Sequence, residues 1–522
     1  MKHNKDIIHL IPKRKKGVLN FLFSRLFIII FLIFIQLAIF FLAYIWLNEY
    51  IPHFTVFQQI FSIGVMIYLF NCKMDSSAKL TWLTIIMLFP IPSTLFLCFT
   101  KNDIGQRAIK KRIEHLVNNS KDKLKQDKHT FNDPLLVDSG TDDLCRYLNL
   151  SGCFPIYENT ETTYFPQGED KFEAMLEELR KAENFIFMEY FIIEEGYMWG
   201  KVLSILKEKA EMGVDVRVMF DGMCEISTLS FDYPERMKKI GIKCKAFFPI
   251  KPFFSTHYNY RDHRKILVID GKTAFTGGVN LADEYINKKE RFGHWKDTAI
   301  MLKGEAVSSF TLMFLQMWNI TEAKTEWDKF LNIPTENIIT DGFVLPYADC
   351  PLDEYKVGEN VYMDMLNRAK SYVHIMTPYL ILDSELQTAL TFAAQRGVDV
   401  KIILPGKSDK KTAYALAKSH YKTLTEAGVK IFEYTPGFIH AKTCISDDIK
   451  AVVGTINFDY RSLYHHFECA AYLYRTSCIS EIEDDFQQTL SKCQAVTMET
   501  IKNEKLFYKF TGIFLKIFSP LM

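Results

Sequence analysis

The feature that most restricts the fold of this chain is a repeat. "ENFIFMEYFII", "GKVLSILKEKAEMG" and "VDVRVMFDG" read as a buried strand, an amphipathic helix and a second strand. "SYVHIMTPYLI", "SELQTALTFAAQRG" and "VDVKIILPG" read the same way further on. "MKKIGIKCKAFFP" is then echoed by "LTEAGVKIFEYTP", and each leads into a His-x-Lys motif, "HRKILVIDG" or "HAKTCISDD". The copies are offset by 184 positions at Gly213 and Gly397 but by 177 at His263 and His440. The first copy therefore carries a longer loop before its motif, placed on "IKPFFSTHYNYRD". A duplicated β-α-β unit predicts an α/β fold in two pseudo-symmetric halves, residues 134–335 and 336–496.

Within each motif, β-branched and apolar residues predict a strand. Residues two apart on a strand share a face, so His263 and Lys265 point one way, as do His440 and Lys442. Asp270 and Asp447 lie seven positions past their histidines, on the opposite face, and read as structural. Lysine and imidazole on one surface suit an anion attacked at phosphorus. The lysine neutralises the non-bridging oxygens, one histidine attacks and the other protonates the leaving oxygen. A single motif supplies only one histidine, so a pair explains the duplication. Asn280 and Asn457 are placed to donate to the phosphate. Asp297 and Glu468 are each placed to hold the second ring nitrogen of their own motif's histidine. A lone H-x-K-x-x-x-x-D match arises by chance in about a few per cent of chains this long; two inside a repeat are a strong signal.

Ahead of the repeat the chain is apolar. Residues 25–47 and 52–71 are long enough to span a bilayer, and residues 80–99 form a third apolar run with Pro90 and Pro92 at its middle. The first run is too long for a cleaved signal peptide, and no small-residue cleavage site follows it. "PKRKK" in the basic segment 1–24 places the N-terminus in the cytoplasm, and "NEYIPHFT", with no Lys or Arg, suits the outside. A full third span would export Lys101, Arg107, Lys110, Lys111 and Arg112. The prolines offer a re-entrant alternative that keeps the following linker, residues 101–133, in the cytoplasm. At the other end, residues 497–522 form an amphipathic tail with a helical stripe of Leu506, Phe507, Phe510, Ile513, Phe514 and Ile517. Lys502, Lys505, Lys509 and Lys516 stand ready for anionic headgroups. A helix docked on the protein core is the competing reading of the tail.

Lys plus Arg (63) balances Asp plus Glu (62), which argues against a nucleic-acid binder. Eleven scattered cysteines with no C-x-x-C pair argue against a disulfide framework or a zinc site. No G-x-x-x-x-G-K-[ST] loop is present.

On these motifs the chain resembles the phospholipase D superfamily and, within it, bacterial cardiolipin synthases. The carrying segments are "LTWLTIIMLFPIPSTLFL", "NYRDHRKILVIDG", "GGVN", "GHWKDT", "HAK", "GTINFDYRSL" and "HFE". The resemblance implies two phospholipase-D-type halves behind an N-terminal transmembrane region of the bacterial plasma membrane. It implies phosphatidyl transfer between two phosphatidylglycerols through a covalent phosphohistidine, with no cofactor and no obligatory metal. His263, Lys265, Asp270, His440, Lys442 and Asp447 match its active-site motif, without showing which histidine is the nucleophile. A phospholipase D hydrolase, a transferase to another alcohol and an inactive membrane scaffold remain as alternatives. The oligomeric state is left open.

Overall fold

The computed structural model describes residues 7–10, 34–35, 38–39, 41–46, 49–50, 54–102, 104–249, 259–331, 333–335, 338 and 340–521. Near the N-terminus, α1 (Phe54–Asn71), α2 (Ser76–Leu88) and α3 (Pro90–Asn102) pack around Leu69, Trp82, Ile86 and Leu97. Asp75 caps α2 by accepting from the Ala78 N–H at 2.9 Å. Pro90 disfavours helical geometry in the residue before it, and Phe89 turns to φ −137°, ψ 73°. The third apolar segment then doubles back, so the Trp82 and Phe96 rings lie 5.7 Å apart. An unbroken helix would separate them by about 21 Å. Among the described residues no helix is long and apolar enough to cross a membrane. With its 18 residues, α1 rises only about 27 Å against a hydrocarbon core of about 30 Å. The expected span 25–47 falls mostly outside the described residues.

The segment read as a polar linker is corrected. Residues Ile104–Ser120 form α4, whose Leu116 is buried and whose Arg112 donates to the carbonyls of Asn319 and Glu322 at 2.9 and 2.6 Å. Its charges hid an apolar face.

In the first half, α5 (Thr141–Gly152) precedes β1 (Thr160–Phe165), α6 (Gly168–Lys181) and β2 (Phe185–Tyr190). Then come α7 (Tyr197–Glu211), β3 (Asp215–Asp221), α8 (Tyr233–Lys239), β4 (Lys243–Phe247), β5 (Arg261–Asp262), β6 (Lys265–Ile269) and β7 (Thr273–Gly277). β8 (His294–Lys296), β9 (Ala299–Gly304) and α9 (Val307–Trp318) complete it. The sheet order is β1-β9-β7-β6-β2-β3-β4. The second half runs β10 (Phe343–Asp349), α10 (Val357–Arg368), β11 (Tyr372–Met376), β12 (Leu380–Ile381), α11 (Ser384–Gln395) and β13 (Asp399–Pro405). It continues with α12 (Lys411–Glu426), β14 (Lys430–Tyr434), β15 (Gly437–Ile439), β16 (Thr443–Ser446), β17 (Lys450–Gly454) and β18 (Phe458–Asp459). β19 (His466–Tyr474), α13 (Cys478–Leu490), β20 (Cys493–Ala495) and α14 (Leu506–Lys516) close the chain. Its sheet order, β10-β19-β17-β16-β11-β13-β14-β20, repeats the first strand for strand and adds β20 at the edge.

The boundary between halves differs from the sequence reading. The sequence groups residues 134–157 with the first half, yet they pack on the second as well, while the Tyr157 hydroxyl meets Ser308 and Ser309 of the first at 3.1 and 2.9 Å. Tyr157 bridges Val344, Asn360 donates to the Tyr147 hydroxyl at 2.7 Å, and the Tyr474 hydroxyl donates to the Leu135 carbonyl at 2.9 Å. Of the longer loop expected before the first motif, residues 250–262, residues 250–258 lie outside the described residues and Arg261–Asp262 form β5.

α14 lies on α12 through Gly512, where an added Cβ would meet the Ala415 carbonyl oxygen at 2.5 Å. Its other face presents all six residues of the apolar stripe, with Phe510 70% exposed. The two readings of the tail thus describe opposite faces of one helix. The Ile517 carbonyl accepts from the Thr81 hydroxyl at 2.6 Å, joining the tail to α2.

Asp270 and Asp447 end β6 and β16 in left-handed conformations, at φ 53° and 55°. The Asp270 carboxylate accepts the N–H groups of Glu183, Asn184 and Phe185 at 2.7, 2.7 and 2.8 Å. Asp447 does the same for Lys370, Ser371 and Tyr372 at 2.8, 2.8 and 2.9 Å. Each tethers the start of β2 or β11 to the motif strand beside it. Asp270→Ala orphans three donors and is expected to cost about 3 kcal/mol, lowering Tm by roughly 6–10 °C. Melting of the purified protein in detergent tests this; an unchanged Tm with lost turnover would instead give Asp270 a chemical role.

Candidate active site

Each motif reaches the site by pairing with the opposite half. β5 leaves the first half and runs parallel to the start of β19, with Asp262 opposite Phe467. β15 runs parallel to β8, with Ile439 opposite Lys296. The next residue in each motif is the histidine: the His263 N–H donates to the Phe467 carbonyl at 3.0 Å, and the His440 N–H to the Lys296 carbonyl at 2.7 Å. The next residue in each host strand is a carboxylate. His263 Nδ1 lies 2.8 and 2.9 Å from the Glu468 oxygens, and His440 Nδ1 lies 2.6 Å from Asp297 Oδ2.

The expectation that each carboxylate serves its own motif is therefore corrected. Glu468 of the second half holds the histidine of the first, and Asp297 of the first holds that of the second. Each short parallel pairing brings the carboxylate in from the opposite half. With Nδ1 held, Nε2 is the nitrogen left for chemistry in both rings.

Each lysine bends back to its motif. Lys265 Nζ donates to the His263 carbonyl, and Lys442 Nζ to the His440 carbonyl, lying also 3.0 Å from His440 Nδ1. The predicted strand begins at Lys265 in the first motif and at Thr443 in the second, so both histidines precede it. All four side chains are buried. Burial, then the Lys442 charge, lowers the His440 imidazole to about 4 against the pull of Asp297. His263 falls well below its ordinary value through burial first, then Lys265, Lys442 and His440. Burial also brings Lys442 down to about 7, with the Lys265 charge adding to the lowering, and brings Lys265 to about 8. The charges of each motif thus reach the other, and the two form one electrostatic unit.

A pH dependence follows from the lysines. A lysine is charged below its pKa, so the clamp on an anion is present at lower pH and is lost as pH rises through about 7 to 8. The expected kcat/KM for a phosphodiester falls between about pH 7 and pH 9. A profile flat across that window would remove the lysines from anion binding.

Asn280 is fixed by protein contacts: its Oδ1 accepts from the Ile192 N–H at 3.0 Å and its Nδ2 donates one N–H to the Tyr285 hydroxyl at 2.8 Å, with the second N–H of the amide left over. Asn457 Nδ2 lies 3.1 Å from Asp459 Oδ2, and its Oδ1 has no protein partner. Gly278 is required for the seam, because a Cβ there would come within 1.9 Å of Asp297 Oδ1. At the matching position Thr455 instead donates its hydroxyl to Glu468.

The walls were not foreseen. Phe191 meets the His263 ring edge-on at 4.9 Å, and Tyr285 and Trp295 each lie 5.4 Å from the His440 ring. His466, two residues before Glu468 on the same strand, places its ring 5.1 Å from that of His263. The only signal for it was the spacing in "HHFE". His263, His466 and Glu468 bring ligand atoms within 4.8 Å of one another, as do Glu359, Asp383 and Glu385. In the first group, hydrogen bonds to His263 Nδ1 and to the Thr455 hydroxyl already engage the Glu468 carboxylate.

The family described as "Cardiolipin synthase, PLD-like domain" matches residues 175–318 and 362–490, which include both motifs. A cardiolipin synthase of Alkalihalophilus pseudofirmus is 34% identical over 465 residues, 88% of this chain and 92% of its own. The chain belongs to the cardiolipin synthase family. A second cardiolipin synthase, from Halalkalibacterium halodurans, is 31% identical over 96% of this chain and all of its own. An uncharacterized protein of Streptococcus mutans is 58% identical over 88% of this chain and all of its own length. The crystal structure of phosphatidylserine synthase from Haemophilus influenzae covers 73% of this chain and all of its own, with TM-score 0.54 and 15% identity. That likeness shows a fold shared with this member of the cardiolipin synthase family.

Proposed function

We propose that this chain is a cardiolipin synthase that moves a phosphatidyl group from one phosphatidylglycerol to another and releases glycerol. The observation that carries the reading is the crossed pair of histidine–carboxylate contacts, set with two lysines in one buried seam. One neutral imidazole attacks phosphorus through Nε2 and forms a P–N bond. The glycerol oxygen leaves with a proton from the other imidazole. That second imidazole then takes a proton from the hydroxyl of an incoming phosphatidylglycerol, whose oxygen displaces the first histidine. One phosphodiester replaces another, so atoms and charge balance without a nucleotide. The lysines neutralise the phosphate oxygens through both steps. The bound anion in turn favours the protonated form of the second imidazole, against the effect of burial.

The competing outcome is attack by water, which gives phosphatidic acid. Aromatic walls around both histidines oppose it. Presentation at a bilayer supplies the lipid acceptor instead. The exposed stripe of α14, its lysines and the outward apolar faces of α1, α2 and α3 support membrane attachment. In this reading residues 25–47 and 52–71 cross the plasma membrane, α2 and α3 form a re-entrant hairpin, and the catalytic halves lie in the cytoplasm.

Purified protein in detergent given labelled phosphatidylglycerol alone tests the reaction. Cardiolipin and glycerol are the expected products. Phosphatidic acid would make the protein a hydrolase, and no turnover would leave a scaffold.

A further inference from the structure

The geometry points to a docking strap: Ile7–Leu10, ahead of the first apolar run, is held in a preformed groove on the first catalytic half. The peptide runs with Ile8 and Leu10 packed against that half's core and His9 outward, the alternation of an extended chain. The Ile8 N–H donates to the Gly200 carbonyl at 3.2 Å, and the Leu10 N–H to Glu195 Oε1 at 3.0 Å. Arg236 Nη1 donates to the Leu10 carbonyl at 2.9 Å, and His9 Nδ1 lies 3.0 Å from Glu195 Oε2.

The groove is organised from beneath. The Tyr233 hydroxyl donates to Glu195 Oε1 at 3.0 Å and accepts from the Trp199 indole at 2.6 Å, with both rings buried. Gly200 leaves room for the strap: a Cβ there would come within 2.4 Å of Ile7 Cγ2 and 3.1 Å of the Ile8 carbonyl oxygen. These contacts come from Glu195, just before α7, and from residues of α7 and α8, far from the motif histidines in sequence. They serve no step of the transfer reaction.

A consequence for topology rests on the membrane reading above. Residue 10 is bound to the same folded body that begins at α4. The intervening chain must then cross the bilayer an even number of times, which a hairpin at residues 80–99 permits and a third span forbids. The strap also ties the first half to the membrane from its own side, while α14 and the α2–α3 hairpin tie the second. A peptide held on the same chain docks at a high effective concentration, so modest contacts suffice.

The test uses the full-length chain with Ile8→Cys, and alkylation at residue 8 is read by peptide mass spectrometry after exposure to a membrane-impermeant maleimide. Intact cells are expected to leave residue 8 unlabelled, and inverted vesicles to label it slowly. Gly200→Leu, which fills the groove and favours the helix, is expected to speed that labelling about tenfold, equivalent to 1.4 kcal/mol of docking. Leu10→Asp, in the strap itself, is expected to do the same without touching the folded core. Equal rates in the parent and both variants would overturn the strap, and labelling from outside intact cells would overturn the cytoplasmic placement drawn from it. The comparison is repeated in detergent, where it reads docking whatever reaction the site runs and whether or not the chain spans a bilayer.

Discussion

Alanine at His263 is expected to lower phosphatidyl transfer by about four orders of magnitude or more, and alanine at His440 to do the same. The expected loss is large because, in the proposed mechanism, one ring carries the phosphatidyl group through both displacements and the other moves the proton in each, so that neither ring would complete a turnover alone. The double variant is expected to fall little below either single one, since groups acting as a unit are strongly non-additive. Turnover of labelled phosphatidylglycerol in detergent measures all three. Near-full activity in either single variant would end the paired mechanism. Multiplying losses in the double variant would show that the rings act independently.

Glu468→Gln and Asp297→Asn are expected to lower transfer by about a hundredfold to ten-thousandfold each, while leaving the fold in place. The amide keeps the shape of the carboxylate but loses the charge that fixes the tautomer and steadies the imidazolium. The diagnostic readout is which histidine responds. Carbethoxylation followed by peptide mass spectrometry reports the reactivity of each ring. Glu468→Gln should change the rate at His263, and Asp297→Asn the rate at His440, because the observed contacts run between halves. A response confined to the histidine of the same half would contradict the crossing.

The halves, their β-α-β order and the histidine–lysine spacing were legible in the sequence because strand and helix periods repeat in both copies. The face of each Asp was legible from an odd spacing. What it holds was not, since three backbone N–H groups at the start of a neighbouring strand leave no mark in composition. The partner of each histidine was misread for a related reason. Asp297 and Glu468 stand at strand-like positions after their motifs, but β5 and β15 are too short to announce that they pair with the opposite half. Asn280 stands where a phosphate donor would, and its anchoring on Ile192 and Tyr285 leaves no mark in the sequence. The linker reading of α4 failed because dense charge masked one apolar face. The tail divided the two readings because Gly512, a residue without a side chain, marks its docked side.

The exchanged strands bear on how such a chain arose. A single-motif ancestor with the same short strands would place its histidine beside a neighbour's carboxylate, never its own. Such a protein would be inert alone and competent only as a reciprocal homodimer. Tandem fusion of its gene would then have made permanent a partnership already obligatory, leaving each copy free to diverge into donor and acceptor roles.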